Sequence, residues 1–238
     1  MASPEVPSAD EEPTPARIEA FSDGVFSIII TLLALDLRVP RDGAHRSAPL
    51  VDVLLEQWPM YLAFIASFLQ VGVVWANHHA MFHYIRRTDH RMLVYNLLLL
   101  MAVAVLPFTS ALLAEHVRGS RSDLRVAAVV YSGMLGICGV FFNAVWQHAL
   151  DAGLVKPQAD PHRLYALRRH WLLIPVFYAI ALVFALLSPR VSLGIYLLLL
   201  FYYALPGPIV IRRLTAHRRM LAHRAGAGPP HAQSNRYF

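Results

Sequence analysis

Six stretches of the chain, at 18–37, 59–77, 92–114, 124–148, 171–187 and 191–211, are dominated by Leu, Ile, Val, Phe and Ala and carry few charges. Each is roughly 20 residues long, the length an α-helix needs to cross about 30 Å of hydrocarbon at 1.5 Å per residue. No alternation of apolar and polar positions runs through them. A spanning backbone must also satisfy its own hydrogen bonds, so helices are predicted throughout. The pattern therefore predicts an all-α membrane protein with six transmembrane helices per subunit.

Composition agrees with a bilayer as the solvent: 57% of the 238 residues are hydrophobic and 15% charged, a balance rare in a soluble domain of this size. The single cysteine, Cys138, lies inside the fourth stretch. It excludes an intramolecular disulfide and a cysteine metal cage. The opening MASPEVPSADEEPTPA has acidic residues and prolines but no basic residue and no apolar run. Residues 1–16 are thus expected to be a disordered cytosolic tail and not a cleaved signal, with the membrane domain over 17–213 and a basic cytosolic tail over 214–238.

The basic residues give an orientation. With six spans, Arg17, Arg86, Arg87, Arg91, Lys156, Arg163, Arg168, Arg169, Arg212, Arg213, Arg218, Arg219, Arg224 and Arg236 share the side of the N-terminus, 14 of the 21. Both termini are therefore expected in the cytoplasm. Ten arginines and no acidic residue follow Asp160. That rim suits anionic headgroups, and with no nucleic-acid module or aromatic interleaving, nucleic acid is not expected as a partner.

The first helix carries the chemistry. Arg17, Glu19, Ser22 and Asp23 open it, and ionisable groups in a spanning helix normally face protein or a water-filled cavity. Arg17 and Asp23 are six apart, off a common face, so each is expected to meet a neighbouring helix. Ser27, Ile28, Thr31 and Leu35 follow with i, i+1, i+4 and i+8 spacing and form one stripe. Around a shared axis Ile28 would make a narrow apolar ring, and the hydroxyls could replace part of a cation's water. Ordinary packing, with hydroxyls bonded to their own backbone, is the plain alternative.

The string Arg17-Ile-Glu-Ala-Phe21-Ser22-Asp23, continuing GVFSIIITLLALDL, resembles the Arg-x-x-x-Phe-Ser-Asp signature of the transmembrane protein 175 potassium-channel family. WANHHAMFHYIRR at the end of the second stretch extends the resemblance. One signature and no second copy imply a prokaryotic-type homotetramer in a plasma membrane, with the first helices around a central pore. The resemblance implies a potassium-preferring cation channel with no TVGYG-type filter loop. It places Ile28 at the apolar constriction, Thr31 one turn beyond, Leu35 at a further pore-facing layer and Ser27 beside the constriction. Arg17, Phe21, Ser22 and Asp23 would then belong to a polar network holding the pore helix, with Trp75, Asn77 and His78 as partners on the second helix and His79 able to replace His78.

Other features carry less. His79 and His83 have a zinc-compatible spacing, but no acidic residue completes an HExxH motif, so metal binding is not expected beyond permeating potassium. No cofactor and no enzymatic activity are expected. Ser132, Gly133, Gly136 and Gly139 are small residues for close helix packing. Pro107 and Pro175 are candidate kinks. Trp58, Tyr61, Trp171, Tyr202 and Tyr203 read as interfacial anchors. A proton-linked secondary transporter remains the rival reading, since Asp23 and several histidines lie at or near spans.

Overall fold

The computed structural model describes residues 15–37 and 49–204. Residues 1–14, the basic tail at 214–238 and the stretch 205–211 of the sixth expected span lie outside the described residues. The chain divides into Met1–Tyr202 and Tyr203–Phe238, and the bundle below belongs to the first unit.

Among the described residues eight α-helices follow one another: α1 (Pro15–Leu32, continued by a 3-10 turn over Leu33–Asp36), α2 (Leu50–Glu56), α3 (Trp58–Phe82), α4 (His90–Ala104), α5 (Leu106–His116), α6 (Arg121–Asp151), α7 (Pro161–Leu187) and α8 (Pro189–Ala204). Five of the resulting rods are long and apolar enough to cross a membrane: α1 with its 3-10 turn, α3, α4 with α5, α6 and α7. The apolar α8 is described over 16 residues, about 24 Å of rise.

Several boundaries differ from the hydropathy reading, each for a local reason. The third stretch is two helices. Pro107 lacks an amide and cannot donate to the carbonyl four residues back, that of Val103, and the helical run is interrupted at Val105. Helix α7 begins ten residues before its apolar run because the Asp160 carboxylate accepts the amide of His162, with Pro161 at the first helical position. Asp89 and Ser120 cap α4 and α6 in the same way, bonding the amides of Met92 and Asp123. Helix α6 ends at Asp151, and Gly153, with a φ of 64°, closes the turn that follows.

Helix α6 is the hub, packed against α4, α5 and α7, while α1 lies on α3 and α4. Its α7 seam is close because of one glycine. A Cβ on Gly139 would lie 3.0 Å from Ile174 Cγ2 and 3.2 Å from the Pro175 nitrogen, whereas one on Gly133 would meet nothing within 4 Å. Pro175 sits inside α7 and cannot donate to the carbonyl four residues back, that of Trp171. Asn143 of α6 supplies the missing donor, its Nδ2 reaching Trp171 O at 2.7 Å.

Trp171 is itself 2% exposed, edge-on to Trp146 and Phe142. The expectation of an interfacial anchor there is corrected: the ring belongs to the core. Trp58 and Tyr202 are exposed. On α8, the Tyr196 hydroxyl donates to Ala128 O at 2.9 Å and contacts Ser132, and Ser192 Oγ reaches Ala181 O at 3.0 Å, tying α8 to α6 and α7. The exterior of the bundle is apolar, with Leu62, Ile65 and Leu69 on α3 and Leu172, Val176 and Val183 on α7 all exposed.

At the end that carries Arg86, Arg87, Arg91 and Arg163, the α3–α4 and α6–α7 connections are stitched together. Ile85 and Val155 form an antiparallel bridge. Arg86 N donates to Leu154 O, and Lys156 N to Tyr84 O, both at 2.9 Å.

Candidate functional site: the first helix and its polar seam

Helix α1 has two faces. Ile18, Ser22, Phe26, Ile29 and Leu33 recur every three or four residues and are buried against α3 and α4. Rotated away from them, Phe21, Gly24, Ile28, Thr31 and Leu35 repeat with the same spacing and are exposed, Ile28 at 60% and Leu35 at 76%. Ser27 is exposed beside Ile28. Thr31 Oγ1 donates to Ile28 O at 2.8 Å, so its hydroxyl stays on the helix while its oxygen keeps acceptor capacity.

The buried face is fastened by polar groups in the half of α1 nearest its N-terminus. Ser22 Oγ donates to Ile18 O at 2.8 Å and accepts Asn96 Nδ2 from α4 at 2.9 Å. Asn96 Oδ1 in turn faces His78 Nε2 of α3 at 2.8 Å. With Asn96 nitrogen committed to Ser22, its oxygen is the acceptor and His78 carries its proton on Nε2. Ser22, His78 and Asn96 are each fully buried, and three helices meet at three side chains. The His78 ring is packed against Phe26 and Phe82.

Beside this chain runs a ladder at the α1–α3 edge. Trp75 Nε1 donates to Asp23 Oδ1 at 2.8 Å, and one turn away His79 Nδ1 meets Glu19 Oε1 at 2.8 Å. The spacing explains it: residues 19 and 23 are one turn apart on α1, and 75 and 79 one turn apart on α3. Trp75 and His79 also stack, with ring centroids 6.1 Å apart.

Of the residues singled out in the sequence, the structure gathers Ser22, Asp23, Trp75 and His78 on the seam and leaves Ser27, Ile28, Thr31 and Leu35 on the uncovered face. Arg17 and Phe21 are exposed. Asn77 turns to its own helix, Nδ2 donating to Val73 O at 2.8 Å. His79 does not replace His78; each has its own partner. Asn96 is the residue the sequence reading missed. Its signal was available, an amide alone in the apolar run VYNLLLL, where an unpaired polar group is costly.

A bundle with an apolar exterior and a first helix locked behind and bare in front defines a polytopic helical membrane protein. Its family follows from comparison. The family model described as endosomal/lysosomal potassium channel TMEM175 matches residues 17–107. A potassium channel of Chamaesiphon minutus is 42% identical over 198 residues, 83% of this chain and 97% of that protein. A potassium channel of Streptomyces collinus is 41% identical over 188 residues, 79% and 90% of the two chains. The crystal structure of a lysosomal potassium-selective channel TMEM175 homolog from Chamaesiphon minutus superposes with a TM-score of 0.73 at 40% identity, covering 80% of this chain and 96% of that one. The chain belongs to the TMEM175 potassium channel family.

Proposed function

We propose that the protein is a potassium-preferring cation channel, a homotetramer in the plasma membrane of a prokaryote with both termini cytoplasmic and six spans in each subunit. Four copies of α1 surround the pore. Ile28 forms the apolar constriction, Ser27 lies beside it, and Thr31 and Leu35 line the next layers. The observation that carries this reading is the uncovered stripe of α1, which mixes Gly24, Ser27 and Thr31 with Ile28 and Leu35 while the opposite stripe is locked into the protomer. A helix meant only for lipid has no need of those hydroxyls, and a helix meant only for the core would be covered. The potassium-channel names of the relatives at 42% and 41% identity point the same way.

In this arrangement the apolar ring controls conduction by its wetting, and nearby hydroxyls substitute for part of the ion's hydration. Without a carbonyl filter the preference for potassium is modest. The seam of Ser22, Asp23, Trp75 and His78, with Asn96 added, belongs to the support of the pore helix and not to the ion path, while Arg17 and Phe21 are exposed and Asn77 bonds its own helix. Passive conduction needs no cofactor and no catalytic group. A proton-linked transporter is not favoured, because the relatives bear channel names.

Reconstituted protein should pass potassium down its gradient, with a reversal potential that shifts with the potassium ratio and a particle mass of four subunits. Ile28→Asn should wet the constriction and lower the potassium-to-sodium permeability ratio by about tenfold, roughly 1.4 kcal/mol of discrimination. A folded preparation that is electrically silent, or an Ile28→Asn channel with unchanged reversal potentials, defeats the assignment.

A further inference from the structure

At the end of the bundle opposite the arginine-rich connections, the turn from α5 to α6 and the turn from α7 to α8 enclose a cleft of about 320 Å³. Three arginines line it, Arg118, Arg121 and Arg190, together with Gly119, Ser188 and Pro189. None of its lining residues is acidic. The nearest carboxylate in sequence, Asp123, is engaged by Ser120, whose Oγ approaches Asp123 Oδ2 at 2.7 Å and accepts the Asp123 amide at 3.2 Å.

The arginines are not scattered surface charges. Arg118 is fixed in place: its Nη1 donates to Glu56 O at 3.0 Å and its guanidinium lies 5.2 Å from the centre of the Trp58 ring. One donor of five is spent there, and the fork keeps donors for a second partner. Arg121 opens the 31-residue α6 and Arg190 is the second residue of α8, so each cation stands in the first turn of a helix and the partial positive charge of the helix adds to its own. Like charges in one cleft repel, and an oxyanion with several acceptor lone pairs relieves that repulsion for all three. The positive-inside rule puts this cleft on the outer face, the side that topology alone would leave poor in arginine. Exposed Leu187 and Val191 flank Ser188 and Arg190 in sequence, and Val126, five residues after Arg121, is exposed as well.

We propose that this cleft binds a phosphate group, held by Arg118, Arg121 and Arg190. The aliphatic neighbours make a phospholipid of the outer leaflet the natural donor of that group, its chains running down α7 and α8. The same guanidiniums would accept inorganic phosphate. The site is independent of the conduction path, so it stands or falls apart from the channel reading.

The test uses the full-length protein in detergent, probed by native mass spectrometry and by its melting temperature. Short-chain phosphatidylglycerol, short-chain phosphatidylcholine and inorganic phosphate are titrated separately at constant ionic strength. Phosphatidylglycerol should bind and raise the melting temperature, and Arg121→Gln and Arg190→Gln should each weaken it by about tenfold, the loss expected for one charge-assisted contact. Arg125→Gln, an exposed arginine of α6 that does not line the cleft, should bind as the parent does. The two cleft variants replace exposed side chains, so their ligand-free melting temperatures should match the parent and separate binding from folding. Arginine-dependent binding of inorganic phosphate alone supports the site with free phosphate as its source. Binding that is absent for all three probes, or equally strong in Arg121→Gln, Arg190→Gln and Arg125→Gln, overturns the proposal.

Discussion

At the scale of single residues, the most consequential side chain is one that touches no proposed ion path. Asn96 spends its nitrogen on Ser22 and its oxygen on His78, so removing the amide strands two buried polar groups on two other helices at once. Asn96→Leu, close in volume, should cost about 1–2 kcal/mol, the range of interhelical hydrogen bonds in membranes. A melting temperature unchanged from the parent would mean that the three-helix junction contributes nothing. Asp89 acts at the other kind of junction, outside the spans. Its carboxylate accepts the Met92 amide at 2.8 Å and meets His148 Nε2 at 2.8 Å. Burial alone would raise its pKa. The Met92 amide, the His148 ring and the Arg91 charge outweigh that and hold it below its ordinary 3.8. A depressed native pKa means that the stabilisation is complete above the ordinary value and fades as the pH falls below 3.8 toward the native one. Asp89→Ala should therefore cost about 1 kcal/mol at neutral pH, the worth of an N-cap. The gap between variant and parent should close on acidification, and a pH-independent gap would assign the loss to packing instead.

At the scale of helices, the α6–α7 hairpin turns on where a Cβ fits. Gly139→Ala places a methyl against Ile174 and the Pro175 backbone, which cannot yield without separating the helices, and should destabilise by about 1–3 kcal/mol. Gly133→Ala meets open space and should be neutral or stabilising by up to about 1 kcal/mol through helix propensity alone. Equal melting temperatures for the two variants would contradict the seam. This contrast also marks what a sequence can carry. Long apolar runs announce spans because hydropathy is a one-dimensional signal. The stripe of α1 is legible from its 3.6-residue period, and Asp23 and His78 from the cost of burying polar groups in a membrane. The partner of each is another matter. Gly139 and Gly133 look alike until α7 is laid beside them, and Trp171, at the edge of an apolar run, suits an interface or a core until Trp146 and Phe142 enclose it. Helix α2, with seven residues, is too short for periodicity to find.

At the scale of the whole molecule, one protomer cannot distinguish a surface that meets lipid from one that meets a shared column of water. Leu35 at 76% exposure and Val183 at 54% are both bare, yet the proposed channel assigns them opposite surroundings, water for the first and hydrocarbon for the second. Cysteine chemistry separates them, since a charged thiol-reactive reagent dissolves in water and attacks only a thiolate, which does not persist in hydrocarbon. The native thiol offers a clean background, because Cys138 is buried and free and Cys138→Ala removes it. On that background Leu35→Cys and Thr31→Cys should be modified in reconstituted protein and their currents blocked, while Leu69→Cys and Val183→Cys should stay unmodified over the same time. Both sets lie on exposed helix faces, so differential folding does not confuse the comparison. If Leu35→Cys resists the reagent as Val183→Cys does, the stripe faces lipid or a dry interface, and the four-helix pore must be sought on another element.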